Sequence, residues 1–246
     1  MREPSRRKRK QSAELVLRGA EFYGKASMAR RKMAVGALAI SIAAVAIAQE
    51  FEEFPIISPR RLELAKEYSR QHYGVDSYEL KDTKIIVIHY TGIPTLQKSL
   101  DAFRAAFLPG HRKEIKNHGR VNVGVHFVVD RNGDIYTLLP TNVIGRHTIG
   151  FNHVSLGIEN VAADASQLTE KQLVANVMLV KRLTGQFPSI EYLIGHHEYQ
   201  RSEFPHYRLF KELDGHYKPT IKLDPGKKFM DELRGQLRLA GIRLRD

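Results

Sequence analysis

At 246 residues the chain is long enough for one well-packed domain plus an appendage, and it carries a formal charge of +12 at pH 7. The excess sits at the front: residues 1–32 hold 11 Lys/Arg against 3 Asp/Glu, which leaves 28 basic and 24 acidic residues for 49–246. So balanced a folded part argues against nucleic-acid binding by a broad basic face. The absence of cysteine excludes disulfide frameworks, thiolate metal sites and thiol nucleophiles.

Residues 33–48 (MAVGALAISIAAVAIA) are apolar or small throughout and follow Ala29-Arg30-Arg31-Lys32. A basic flank, a short apolar run and Ala46-Ile47-Ala48 before Gln49 fit a secretory signal with an A-x-A cleavage site. The run is shorter than the roughly 20 residues of a spanning helix. Residues 1–48 are therefore expected to be a basic region with a signal peptide or membrane anchor, and Met28 is a more usual start for such a segment. The expected location is outside the cytoplasm, in the periplasm or cell envelope, with any membrane association confined to 33–48. Residues 49–58 read as a linker and 59–246 as the folded domain.

Within that domain, Pro59 after Ser58 opens a helix carrying Leu62, Leu64, Ala65 and Tyr68, and Gly74 stops it. Lys84–Ile88 is a strand whose continuous β-branched run predicts burial on both faces. Residues 96–108 place Leu96, Leu100, Phe103 and Phe107 on one helical stripe. Gly124–Val129 and Asp134–Leu139 form a hairpin around Asp130-Arg131-Asn132-Gly133, and Ser155–Val161 is a further strand. Thr169 and Gln172 have capping-box spacing. They begin a helix with an apolar face of Leu173, Val174, Val177, Met178, Val180 and Leu183, ending near Gly185. Tyr192–Ile194 is a short strand and Lys227–Ala240 a closing amphipathic helix. The alternation predicts an α/β fold, a mixed central sheet covered by helices.

Three of these segments end in a metal-binding type of side chain. His89 follows Ile85-Ile86-Val87-Ile88, His196 follows Tyr192-Leu193-Ile194-Gly195, and Asp224 lies in Lys222-Leu223-Asp224-Pro225-Gly226. Two histidines on separate strand ends can converge over one sheet edge. Neutral imidazole suits zinc, and a hydrolytic zinc keeps three protein ligands and one open position. Without a thiol the third ligand is a carboxylate or another histidine. Glu159, after the apolar Leu156-Gly157-Ile158, needs a buried partner or a chemical task. His126, between Val125 and Phe127, reads as structural.

The segments Ile88-His89-Tyr90-Thr91-Gly92, Val125–Gly133, Ser155-Leu156-Gly157-Ile158-Glu159, Ile194-Gly195-His196-His197-Glu198 and Lys222–Gly226 occur in that order. Together they resemble the zinc-dependent N-acetylmuramoyl-L-alanine amidases of the amidase-2 type, relatives of phage amidase lysozymes and peptidoglycan recognition proteins. The resemblance spans roughly residues 84–230. It implies one Zn2+ held by His89, His196 and Asp224, with Glu159 as general acid–base and Lys222 stabilising the oxyanion. Segments like that around Thr148-Ile149-Gly150-Phe151 line the cleft in the family, which implies substrate contacts for His147, Asn152 and His153. The implied substrate is peptidoglycan or a muropeptide, cut at the amide between N-acetylmuramic acid and L-alanine. A non-catalytic peptidoglycan-binding module is the alternative, and amine release from muropeptide separates the two.

The sequence departs from the family's compact pattern between His196 and Asp224, where an insertion spans 199–221. His206 lies ten residues after His196 and competes as third ligand, but Phe204 stands where Lys222 stands relative to Asp224. The insertion reads equally as a loop touching substrate and as one that merely packs on the domain.

Overall fold

The computed structural model describes residues 51–246, so the signal or anchor expected at 33–48 lies outside the described residues. Among the described residues no helix is long and apolar enough to cross a membrane. The elements in chain order are β1 (Glu52–Glu53), α1 (Pro59–Tyr73), β2 (Ile85–Tyr90), α2 (Leu96–Arg104), α3 (Lys113–Lys116), β3 (Phe127–Val129), β4 (Ile135–Thr137), β5 (Ser155–Asn160), α4 (Glu170–Gln186), β6 (Tyr192–Gly195) and α5 (Lys227–Leu239). The strands form one mixed sheet in the order β1-β4-β3-β5-β2-β6. The β3–β4 hairpin is antiparallel, and β3, β5, β2 and β6 run parallel to one another.

The β-branched run of β2 is buried on both faces because helices cover both. Ile86 and Ile88 face a core built with α4 and α5, through Leu173, Val177, Val180, Leu183, Met230 and Leu233. Ile85 and Val87 face the opposite core with Leu64, Tyr68 and Tyr73 of α1. Strand alternation then assigns His89 to the α1 face. Register aligns His89 with Glu159 on β5, so the two side chains share that face at the carboxyl end of adjacent strands. Ligand sites of open α/β sheets lie at this end of the strands.

Local chemistry sets the boundaries as expected in several places. The Ser58 hydroxyl accepts from Arg61 N–H, Pro59 occupies the first turn, and Gly74 at φ 67° caps α1 in the left-handed region. At the start of α4 the reciprocal Thr169–Gln172 capping box is formed.

The structure corrects four expectations. Residues 52–56 are not linker: Glu52–Glu53 pair with β4, Phe54 and Ile56 donate to the Thr137 and Leu138 carbonyls, and Ile56 is buried. Helix α2 ends at Arg104 because Ala105 turns extended, leaving Phe107 45% exposed under the Arg60 guanidinium. The regular hairpin strands are shorter than expected: Leu138 N–H still donates to the His126 carbonyl, but Gly124 N–H turns to the Arg146 carbonyl. On α4, Val174 and Met178 are exposed while Gln172 and Asn176 are buried. Gln172 donates to the Val129 and Val161 carbonyls, and Asn176 to the Asn160 side chain, so strand-end carbonyls and an amide draw these polar residues inward.

Candidate metal centre

His89 arrives at the end of β2 and His196 opens the turn directly after β6, so parallel pairing of β2 with β6 brings them together. Asp224 comes from the loop before α5. Its backbone carbonyl accepts from His197 N–H at 2.8 Å, with His197 Nδ1 3.2 Å away, so the residue next to one histidine fixes the carboxylate's loop. Glu198 holds the turn itself. Its carboxylate accepts from Gly195 N–H and from both terminal nitrogens of Arg234 at 2.6 and 2.9 Å, a shielded ion pair tying the turn to α5.

The result is a tight triangle. His89 Nδ1 lies 3.0 Å from His196 Nδ1 and 3.2 Å from Asp224 Oδ2, and His196 Nδ1 lies 3.0 Å from the same oxygen. Their side chains are 2%, 11% and 14% exposed. Three ligands at 2.0–2.1 Å from one ion in tetrahedral array stand roughly 3.3 Å apart, so this donor set fits a small divalent ion. His206 is not part of it. It is buried within the insertion, its ring against Phe151 and Phe204, so Asp224 rather than His206 completes the cluster.

Burial governs the electrostatics. It pushes the His196 imidazole down to about 4, helped by neighbouring His89, so the ring is neutral, the form that ligates metals. Burial opposes ionisation of Asp224, yet hydrogen bonding with the His196 and His89 rings outweighs it and holds the metal-free carboxyl well below the usual range. Glu159 goes the other way. Desolvation raises it to about 7 against the opposing pull of His89, and its buried Oε2 has no hydrogen-bond partner.

A cleft of about 270 Å3 opens over the triangle, and Glu159, Lys222 and His147 line it with the three donors. Asn152 and His153 do not line it. Asn152 Oδ1 accepts from the backbone N–H groups of His147 and Thr148, and its amide donates to Tyr68 and Tyr73, which makes it a buried brace for the loop. His153 stacks on Tyr73 at 4.5 Å. Both were expected to touch substrate because the family resemblance places this segment along the cleft, and only the loop's path turns them away. His126 is structural as expected: Nε2 faces the Val143 carbonyl, Nδ1 accepts from Gly157 N–H, and burial lowers it to about 4.

The cleft also has a wall that the sequence did not reveal, from Arg112, Ile115, Tyr217, Lys218 and Thr220. The insertion therefore packs on the domain and also lines the cleft. Its base closes through Tyr199 OH donating to the Thr220 carbonyl, and Glu212 and Asp214 lie 2.7 and 2.8 Å from His72 and His118. Phe210 packs edge-on against Phe151, while residues 217–220 reach the cleft. No spacing rule signals this, because the contacts join an irregular loop to α1 and to residues 112–118.

Two histidines after strand ends, a loop carboxylate and a buried glutamic acid with a raised pKa form a donor set that fits one divalent ion beside a group able to act as acid or base. The chain belongs to the N-acetylmuramoyl-L-alanine amidase family (Amidase_2), whose profile matches residues 79–227. It is 26% identical over 131 residues to peptidoglycan-recognition protein LB of Drosophila melanogaster, an alignment covering 52% of this chain and 56% of that one. The chain thus spans little over half the length of this curated relative. Among solved structures it is similar to the N-acetylmuramoyl-L-alanine amidase LysC from Clostridium intestinale URNW (22% identity, 64% of this chain and 86% of that one, TM-score 0.42). It is also similar to a selenomethionine derivative of AmpD (18% identity, 76% and 93%, TM-score 0.49).

In metal-free protein the Glu159 carboxyl is expected to titrate near pH 7, protonated below and ionised above. Carboxyl 13C chemical shifts followed against pH check this, and a midpoint in the ordinary carboxylate range of about 4 to 5 contradicts the desolvation argument.

Proposed function

We propose that the protein is a zinc-dependent amidase that hydrolyses the bond between N-acetylmuramic acid and L-alanine in peptidoglycan or muropeptides. The observation that carries this reading is the unpartnered Glu159 carboxyl beside three donor atoms within 3.2 Å of one another. His89, His196 and Asp224 would hold the ion. When bound, zinc supplies a Lewis acid able to activate water near neutral pH and to polarise a carbonyl.

The chain's own groups do the rest. Glu159, as the carboxylate, accepts a proton from the attacking water and returns it to the departing L-alanine amine. Its partnerless oxygen leaves a lone pair available for that proton. The Lys222 ammonium lines the same cleft and offsets the negative charge that develops on the carbonyl oxygen. Arg112 and Lys218, on the cleft wall, suit the carboxylates of a stem peptide.

Location is proposed from sequence alone. Residues 33–48 direct the chain out of the cytoplasm, as signal or as anchor, with 51–246 as the catalytic domain. Cell fractionation of the full chain and of one lacking 33–48 checks this, and equal cytoplasmic retention of both ends it.

Glu159→Gln is expected to keep its zinc while turnover of soluble muropeptide falls by roughly 10²–10⁴-fold. Near-normal turnover would remove Glu159 from the reaction and favour another base. Asp224→Ala should bind less than one zinc per chain by elemental analysis, and His206→Ala should bind a full equivalent. The reverse pattern would transfer the third ligand to the insertion. A protein that binds muropeptide but releases no amine with zinc present is a recognition module instead.

A further inference from the structure

We infer that His147 is a positioning residue for His89 rather than a substrate contact, an inference that rests on the zinc reading above. The metal side of His89 is Nδ1, the nitrogen that joins His196 and Asp224. A neutral imidazole that offers Nδ1 as a lone pair carries its proton on Nε2. That nitrogen lies 3.2 Å from His147 Nδ1, with the rings edge to face. His147 Nδ1 is then the acceptor, so its own proton sits on Nε2, which faces the Ser155 hydroxyl at 3.5 Å. Thr148 Oγ1, 3.0 Å from His147 Nδ1 and 3.5 Å from His89 Nε2, flanks the contact. Ligand histidines commonly hand this second proton to a carboxylate, a carbonyl or water. Here a second imidazole receives it.

The surroundings are shaped for that ring. Gly157 on β5 lies beneath it, and a Cβ there would stand 2.8–2.9 Å from three ring atoms of His147. Asn152 pins the His147 backbone from behind and is itself held by Tyr68 and Tyr73. A line of buried polar contacts therefore runs from α1 through Asn152 and His147 to the back of His89.

The test uses the full chain, metal-free and zinc-loaded. Zinc affinity is read by competition with a chromophoric chelator, folding by thermal denaturation of the metal-free protein, and KM and kcat on soluble muropeptide at saturating zinc. His147→Ala is expected to weaken zinc binding by about 10–100-fold, with KM little changed once zinc saturates. His147→Gln, whose side-chain oxygen can accept the same proton, should recover part of that loss. Gly157→Ala, which crowds the ring without removing it, should also weaken zinc binding. Unchanged zinc affinity in His147→Ala alongside a raised KM would return His147 to the substrate side and overturn the inference alone. Equal losses in Ala and Gln variants, matched by a falling metal-free Tm, would make the residue merely structural and overturn it too. A wild-type chain that takes up no zinc removes the zinc reading and this inference with it.

Discussion

Holding two imidazole nitrogens and one carboxylate oxygen within 3.2 Å of each other is the constraint on which the rest of the site depends. Such groups do not gather unaided, because each must give up water and lose side-chain freedom. Burial is what makes the cluster useful. It drives His196 neutral, so that a lone pair is available, while the same two histidines keep Asp224 ionised against the desolvation that opposes it. One environment thus favours the metal-binding protonation state in acid and base alike.

Each donor is placed by a different kind of structure. His89 is fixed by a strand buried on both faces, where hydrophobic packing sets the register and leaves the final residue of the α1 face at the sheet's carboxyl end. The Asn160 amide donates to the His89 carbonyl and in turn accepts from Asn176, so α4 steadies the strand end through polar contacts. His196 depends on the Glu198–Arg234 ion pair, whose carboxylate oxygens and terminal guanidinium nitrogens all have partners. Asp224 is tethered by its own backbone to His197. Desolvation acts in the same direction on Glu159, and there it prevails because the buried Oε2 has no hydrogen-bond partner. Two carboxyl groups in one cleft therefore differ in protonation because one meets histidine donors and the other does not.

The insertion shapes the cleft without adding a donor to the metal cluster. Its aromatic residues pack on Phe151 and its acids on His72 and His118, which anchors it to α1 and to the loop after α3. Only then do Tyr217, Lys218 and Thr220 reach the cleft. Docked in this way, the loop walls the cleft and adds the cationic Lys218 to its lining.

Much was readable from the sequence because it depends on local rules. The run Ile85–Ile88 marks a doubly buried strand, Ser58-Pro59 and Thr169/Gln172 mark helix starts, and period-two alternation assigns His89 and Glu159 to one face once their strands are neighbours. The resemblance of Lys222–Gly226 to the family's local motif also separated Asp224 from His206 as the third ligand. What sequence alone left undecided depends on surfaces meeting. Val174 and Met178 match a helical apolar face as well as Gln172 and Asn176 do poorly, yet free strand-end groups reward the polar pair. Residues 52–56 carry too little pattern to declare an edge strand, and they become one only because β4 offers an unpaired edge. His147, Asn152 and His153 lie within seven residues and share one polar, glycine-containing loop. The path of that loop over β5 sends the first to the back of His89, the second to two tyrosines and the third out of the cleft. Side-chain chemistry is fixed by the sequence, but which neighbour each group meets is set by packing, and that neighbour decides its role.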